Sequence, residues 1–249
     1  MMKRIIVLVS TSVLIAITGS QVFADDASAI MARIDAKRET ETEQSRMVME
    51  IHPVRGTDTN VREFRVESYS RGTENSYMEF VATQSIRGLR VFEVGDDTRV
   101  FFPSTGRIRR ITGDQQSGSV GGVGGDFSYE DMGSGTYADD YTLSIEHETT
   151  SQWVIRGVPT DKDSSYTHVV FYVDRESERV VKTEYFTADE GHLKTLHLDE
   201  YRTGDGIETP TFLRMINHDK DQETIVRIVA YRTNVAIDPK YFNPNRFYR

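Results

Sequence analysis

Beyond residue 46 the chain alternates apolar and polar positions with period two. Met47, Met49 and Ile51 interleave with Val48, Glu50 and His52, and Phe64 and Val66 with Arg65 and Glu67. Met78, Phe80 and Ala82 oppose Tyr77, Glu79 and Val81, while Leu89, Val91 and Glu93 oppose Arg90, Phe92 and Val94. Successive side chains of a strand point to opposite faces, so each run predicts a half-buried strand. The runs close on turn formers at Gly56, Gly72, Gly88 and Gly95-Asp96-Asp97. The rhythm returns at Thr142–Glu148, Gln152–Val158, Thr167–Val173, Val180–Phe186, Leu193–Tyr201, Thr211–Ile216 and Thr224–Thr233, with Asp174–Glu178 as a hairpin tip. Asp25 to Arg38 predicts a helix, capped by Asp26 or Ser28, with Ile30 and Ile34 one turn apart. Asp238-Pro239 starts a last short helix that Asn243-Pro244 ends. About a dozen antiparallel strands with no βαβ alternation predict a large curved sheet or open barrel and exclude a doubly wound nucleotide fold.

The first 24 residues have a different texture. Lys3 and Arg4 precede an apolar stretch from Ile5 to Ile17, and Val22-Phe23-Ala24 leads into Asp25-Asp26. That stretch of thirteen residues, interrupted only by small hydroxyl residues, falls short of the roughly 20 that span a bilayer. The segment reads as a secretory signal cut after Ala24, leaving residues 25–249 as one soluble periplasmic β-domain. There is no cysteine, which excludes disulfides, thiolate metal sites, a cysteine nucleophile and a lipid-bearing cysteine at the signal junction. Losing Lys3 and Arg4 takes the formal charge from −9 to −11. That balance repels phosphate backbones, so nucleic acid is excluded as a partner.

Residues 113–125 break the alternation, with six glycines in thirteen positions. Such a segment is either a mobile loop or a backbone passing close to something. It is no phosphate loop, because Asp126 follows and no lysine lies between Arg110 and Lys162. Upstream, strand geometry puts Arg107 and Arg109 on one face and Ile108 and Arg110 on the other. They either clamp a phosphate or carboxylate headgroup or, as the favoured reading, pair internally with Asp126, Glu130 or Asp131. In Asp126-Phe127-Ser128-Tyr129-Glu130-Asp131-Met132, Asp126 is expected to cap one helical turn and Phe127 to anchor the loop.

The six histidines form no metal template; His192 and His197, five apart in a strand, are expected on opposite faces. No G-x-S-x-G elbow is present, and the sequence is read as neither an enzyme nor cofactor-dependent. Twelve Phe, twelve Tyr and eight Met supply adaptable apolar side chains of the kind that line greasy sites. Met49, Phe64, Val66, Met78, Phe80, Val91, Phe92 and Phe101 are the candidate cavity lining, with the inward parity left open.

From Phe101-Phe102-Pro103 to Met132 the chain resembles the LolA-like family of outer-membrane lipoprotein-sorting proteins, in a subgroup with a GSDFSYEDM-type motif. The strand pair FFPSTGRIRRI and the segment SGSVGGVGGDFSYEDM carry the resemblance, joined by FYVDRESERVVKTEYF and TNVAIDPKYFNP. Its motif positions are Pro103, Arg107, Arg109, Arg110, Gly118, Asp126, Phe127, Tyr129, Glu130 and Asp131. Gly-Gly-Val-Gly-Gly stands where that pattern usually has a bulkier Phe-Met-Gly core. The resemblance implies a mainly β fold, an incomplete antiparallel β-barrel with helices over its concave face and an apolar cavity for acyl chains. It also implies a monomeric carrier of lipid or lipid-modified protein, sometimes beside an inner-membrane transporter of the resistance-nodulation-division type. A second reading keeps the fold but makes it an interaction module or transporter accessory that carries nothing; an interior filled by its own side chains favours that reading.

Overall fold

The computed structural model describes residues 26–53, 60–132, 135–189, 191–204 and 206–249. The expected signal segment and Gly56 lie outside them. Helix α1 (Ala27–Arg38) starts on Asp26, whose side chain accepts the Ser28 N–H at 3.4 Å, and ends on Lys37 and Arg38, suited to the negative end of the helix dipole. Its buried residues Ala27, Ile30, Met31 and Ile34 follow the 3.6-residue period on one face.

Among the described residues thirteen strands form one antiparallel sheet. The first meander comprises β1 (Thr42–Pro53), β2 (Arg62–Arg71), β3 (Asn75–Ala82), β4 (Arg90–Val94), β5 (Asp97–Phe102) and β6 (Arg107–Ile111). A short helix α2 (Tyr137–Asp140) then leads into β7 (Tyr141–Glu148), β8 (Gln152–Pro159), β9 (His168–Asp174), β10 (Arg179–Thr187), β11 (Gly191–Gly204), β12 (Ile207–Asn217) and β13 (Gln222–Thr233). The strand order is β6-β5-β4-β3-β2-β1-β13-β12-β11-β10-β9-β8-β7. Two meanders are therefore joined by β1 against β13, with Met49 opposite Val226 and Ile51 opposite Thr224. The sheet is open, with β6 and β7 as its edges.

The two faces are covered differently. One, the inner face, carries the main core, in which Met49, Phe80, Val100, Ile155, Phe171 and Met215 join α1 in a single cluster. The outer face is covered over β2–β5 by the C-terminal segment. There Tyr77, Phe92 and Phe247 form a second cluster, and Tyr241 stacks on Tyr69 at 4.1 Å. Asp238 caps the turn Pro239–Phe242 that turns the chain onto this face, accepting the Lys240 N–H at 2.9 Å.

Candidate functional site: the covered inner face

Strand order decides where the glycine-rich segment must go. It leaves β6 at one edge of the sheet, and β7, the next strand, is the opposite edge. The chain crosses the inner face between them, meeting strands in spatial order. At Gly121 an added Cβ would sit 2.7 Å from Leu89 Cδ2, beside β4. Arg62 of β2 donates to the Val123 carbonyl at 2.8 Å, and a Cβ at Gly125 would sit 3.3 Å from Ile51 of β1. Asp126 reaches Thr224 of β13, and Asp131 reaches Lys194 of β11. From β4 to β11 is six strand spacings, about 29 Å of arc at about 4.8 Å each. Ten residues extend to about 35 Å at most, and Val120–Gly122 and Glu130–Met132 are tighter 3₁₀ turns. The loop runs as a chord, and the sheet curls around it.

The alternatives for this segment thus resolve to close approach. Gly121 has φ +64 and no room for a side chain, a combination only glycine meets without strain. Val120, Val123 and Phe127 fill the space beneath and are buried with the sheet core.

Polar anchors hold the C-terminal half of the segment. The buried Asp126 carboxylate accepts the Thr224 hydroxyl at 2.7 Å and the Gln222 amide at 2.9 Å, while its own N–H donates to Thr224 Oγ1 at 2.9 Å. Burial is the main influence on this carboxyl and raises its pKa against those bonds. The Asp131 side chain is fully buried and that of Lys194 is 7% exposed; they pair at 2.8 Å. Asp131 also accepts the Tyr166 hydroxyl at 2.6 Å and the Ser128 N–H at 2.7 Å, and Lys194 donates to Tyr166 at 3.0 Å. Burial, followed by Asp131, pushes the Tyr166 phenol well above its ordinary range. Glu130 accepts from the Ser164 hydroxyl, and from the Ser165 N–H at 3.1 Å and hydroxyl at 2.6 Å. Tyr129 turns its hydroxyl back to accept the Gly121 N–H at 2.9 Å. At the far end Asp35 of α1 accepts the Tyr137 and Ala138 N–H groups at 3.1 and 3.0 Å, tying α2 to the first helix.

Several expectations are corrected. Asp126 does not cap the turn Glu130–Met132; Ser128 and Asp131 bond reciprocally instead, the Asp131 N–H donating to Ser128 Oγ at 3.2 Å. Phe127 is the anchor expected of it. The carboxylates of Asp126, Glu130 and Asp131 are engaged by Thr224, Ser165 and Lys194 rather than by the arginines of β6. Arg110 pairs with Asp97 at 3.2 Å on the outer face. No ion pair is recorded for Arg107 or Arg109 among the described residues. Pro103 packs beneath Gly88, where a Cβ would lie 3.7 Å away, and the Gly118 carbonyl accepts the Tyr129 N–H.

Of the proposed lining residues, Met49, Phe64, Val66, Met78, Phe80 and Val91 share the inner face, but Phe92 and Phe101 belong to the outer cluster. The inner six line neither of two clefts in the described residues, one of about 230 Å³ among Gln44, Arg46, Glu67 and Arg232 and one of about 10 Å³ beside Ile34, Tyr137 and Tyr201. His192 and His197 share the outer face rather than opposing one another, because a register shift between Tyr185 and Phe186 intervenes. His192 stacks on Phe186, and His197 lies between the inward Leu196 and Leu198. Sequence reading missed Lys194, Tyr166 and Thr224, although a lysine at the parity of Leu196 and Leu198 was a legible anomaly.

A family model described as "Uncharacterized protein" matches residues 72–249. No curated protein matches the chain. Among solved structures, a domain described as that of an outer membrane lipoprotein-sorting protein from Vibrio parahaemolyticus superposes with a TM-score of 0.79 at 22% identity. The match covers 90% of this chain and 98% of that one. A DUF1329 family protein from Desulfovibrio piger gives 0.77 at 22%, covering 88% and 96%. A LolA superfamily protein from Nitrosomonas europaea gives 0.74 at 20%, covering 89% and 99%.

Proposed function

Since the chain belongs to the family whose model matches residues 72–249 and has the LolA-like fold, we propose that it is a periplasmic carrier of lipid or lipid-modified protein. Acyl chains would occupy the inner face once the segment 113–132 is displaced. The observation that carries this reading is the nature of the cover: a glycine-rich strap over a continuous apolar strip, with its polar anchors gathered between Val123 and Asp131.

Magnitudes permit the exchange. Lifting Val120, Val123 and Phe127 from the sheet costs about 5–9 kcal/mol at roughly 1.5–3 kcal/mol per side chain. An acyl chain burying about ten methylenes returns about 8 kcal/mol at roughly 0.8 kcal/mol each. On apolar burial alone the cover and a single chain are near balance, so release of the polar anchors at Asp126 and Asp131 decides the exchange.

Purified protein should retain lipid in native mass spectrometry and release a fluorescent fatty acid to competing lipid. Absence of both, in the parent chain and in a variant with the anchor at Lys194 removed, would sink the proposal. The filled inner face favours a second reading, an interaction module or accessory to an envelope transporter of the resistance-nodulation-division type. That reading expects a crosslinked partner while the loop stays closed.

A further inference from the structure

The two faces of β6 differ in how their arginines are satisfied. On the outer face Arg110 and its cross-strand neighbour Arg99 share Asp97, at 3.2 and 2.7 Å. On the inner face Arg109 lies opposite the buried Val100, and Arg107 opposite Phe102, which packs against the main core. Both arginines are exposed, with no ion pair recorded among the described residues. Arg87, also exposed and without a recorded ion pair, adjoins this lip, because the turn that holds it packs through Gly88 onto Pro103. In a chain of net charge −9 this is a local excess of positive charge. It sits where the apolar inner face ends and the glycine-rich strap begins. Tyr129 of that strap feels Arg109: burial raises the phenol's pKa, and Arg109 draws it partly back.

Residues two apart on a strand lie about 7 Å apart on one face, so two long arginine side chains converge on one anion. Guanidinium groups bind phosphate oxygens bidentately and are weakly hydrated, which suits a site half in water and half against an apolar wall. We infer that Arg107 and Arg109 form the headgroup seat of the inner-face site and take the phosphate of an anionic phospholipid whose acyl chains lie under the strap. This inference rests on the carrier reading and adds the chemical class of the cargo.

The test uses the intact exported chain and three probes. These are an uncharged apolar dye, N-phenyl-1-naphthylamine, and fluorescent phosphatidylglycerol and phosphatidylcholine with identical acyl chains. The parent protein should bind phosphatidylglycerol about tenfold or more tighter than phosphatidylcholine, a margin that shrinks with added salt. R107Q/R109Q should bring the two lipids within about threefold while leaving dye binding unchanged, and Arg110→Gln, on the outer face, should leave the preference intact. Dye binding without lipid discrimination, or discrimination that survives the double substitution, overturns the headgroup seat and leaves the carrier reading standing. Failure of every probe overturns both. If inorganic phosphate alone binds the lip, is lost in R107Q/R109Q, and displaces neither lipid, the seat serves a free anion and the lipid assignment is wrong.

Discussion

Replacing Lys194 with methionine keeps the side chain's length and removes its charge. It leaves the Asp131 carboxylate, fully buried, with the Ser128 N–H at 2.7 Å and the Tyr166 hydroxyl at 2.6 Å but no cation. Removing one member of a buried pair costs about 3–5 kcal/mol. With two donors remaining, the low end applies, about 3 kcal/mol. Asp131 belongs to the strap and Lys194 to β11, so the loss falls on the contact between them rather than on strand pairing. At about 1.4 kcal/mol per tenfold, the opened strap becomes about 100-fold more populated. Hydrogen exchange reads this directly. The N–H groups of Val120, Gly121, Val123 and Tyr129 bond within the strap and should lose about two orders of magnitude of protection. Those of β1 and β13 should hold. Uptake of the uncharged dye should quicken, and the charge-free double variant K194M/D131N should recover most of the loss. Equal deprotection of strap and central strands would refute the reasoning by making the pair global. No deprotection anywhere would refute it by making the pair inert.

Three further outcomes follow from the same geometry. Gly121→Ala places a Cβ against Leu89 in left-handed backbone and should cost about 2 kcal/mol in chemical denaturation; a neutral result would mean the strap is not seated as described. Phe247→Ala empties the outer cluster and should destabilise by about 3–5 kcal/mol without altering dye or lipid affinity per folded molecule; a changed affinity would put the ligand on the wrong face. The Asp140 carboxyl is raised to about 6 by burial first, then by Asp139 and Asp35. Its contribution to stability is full below the unfolded value near 4 and is lost as pH rises through about 6. Asp140→Asn should therefore gain on the parent chain in thermal melts between pH 4 and 7. A constant difference across that range would show that Asp140 is not coupled to folding.

Much of the fold was legible because its signals are local. Alternation marked the strands, and Asp26 and Asp238 capped the turns expected of them. Which strand lies beside which was not legible, since β1 and β13 pair across most of the chain through contacts such as Ile51 with Thr224. That one pairing sets the strand order and hence the route of the strap. Phe92 and Phe101 show a second limit. Alternation reveals that two faces exist, but both faces of β4 and β5 are apolar because the strap covers one and Phe247 and Tyr248 cover the other. Asp126 and Asp131 have their partners on β13 and β11 rather than in the neighbouring Arg107–Arg110, brought close by curvature that no short window of sequence encodes.

The strap's position follows from connectivity more than from any affinity of glycine for the sheet. A two-meander sheet joined at β1 and β13 leaves its free edges at β6 and β7, which are consecutive in the chain. Any connection between them shorter than the outer circumference must cross the inner face. A cover tethered at both edges cannot leave by diffusion; it lifts by releasing its anchors or by a change in the distance between β6 and β7. Bulky residues in the crossing would wedge the curled sheet apart. Glycine at 121 and 125 lets the backbone lie directly on Leu89 and Ile51 while Val120, Val123 and Phe127 complete the core. The glycine-rich composition, which in isolation suggests mobility, is what a thin cover requires when the apolar surface beneath must be both sealed and recoverable.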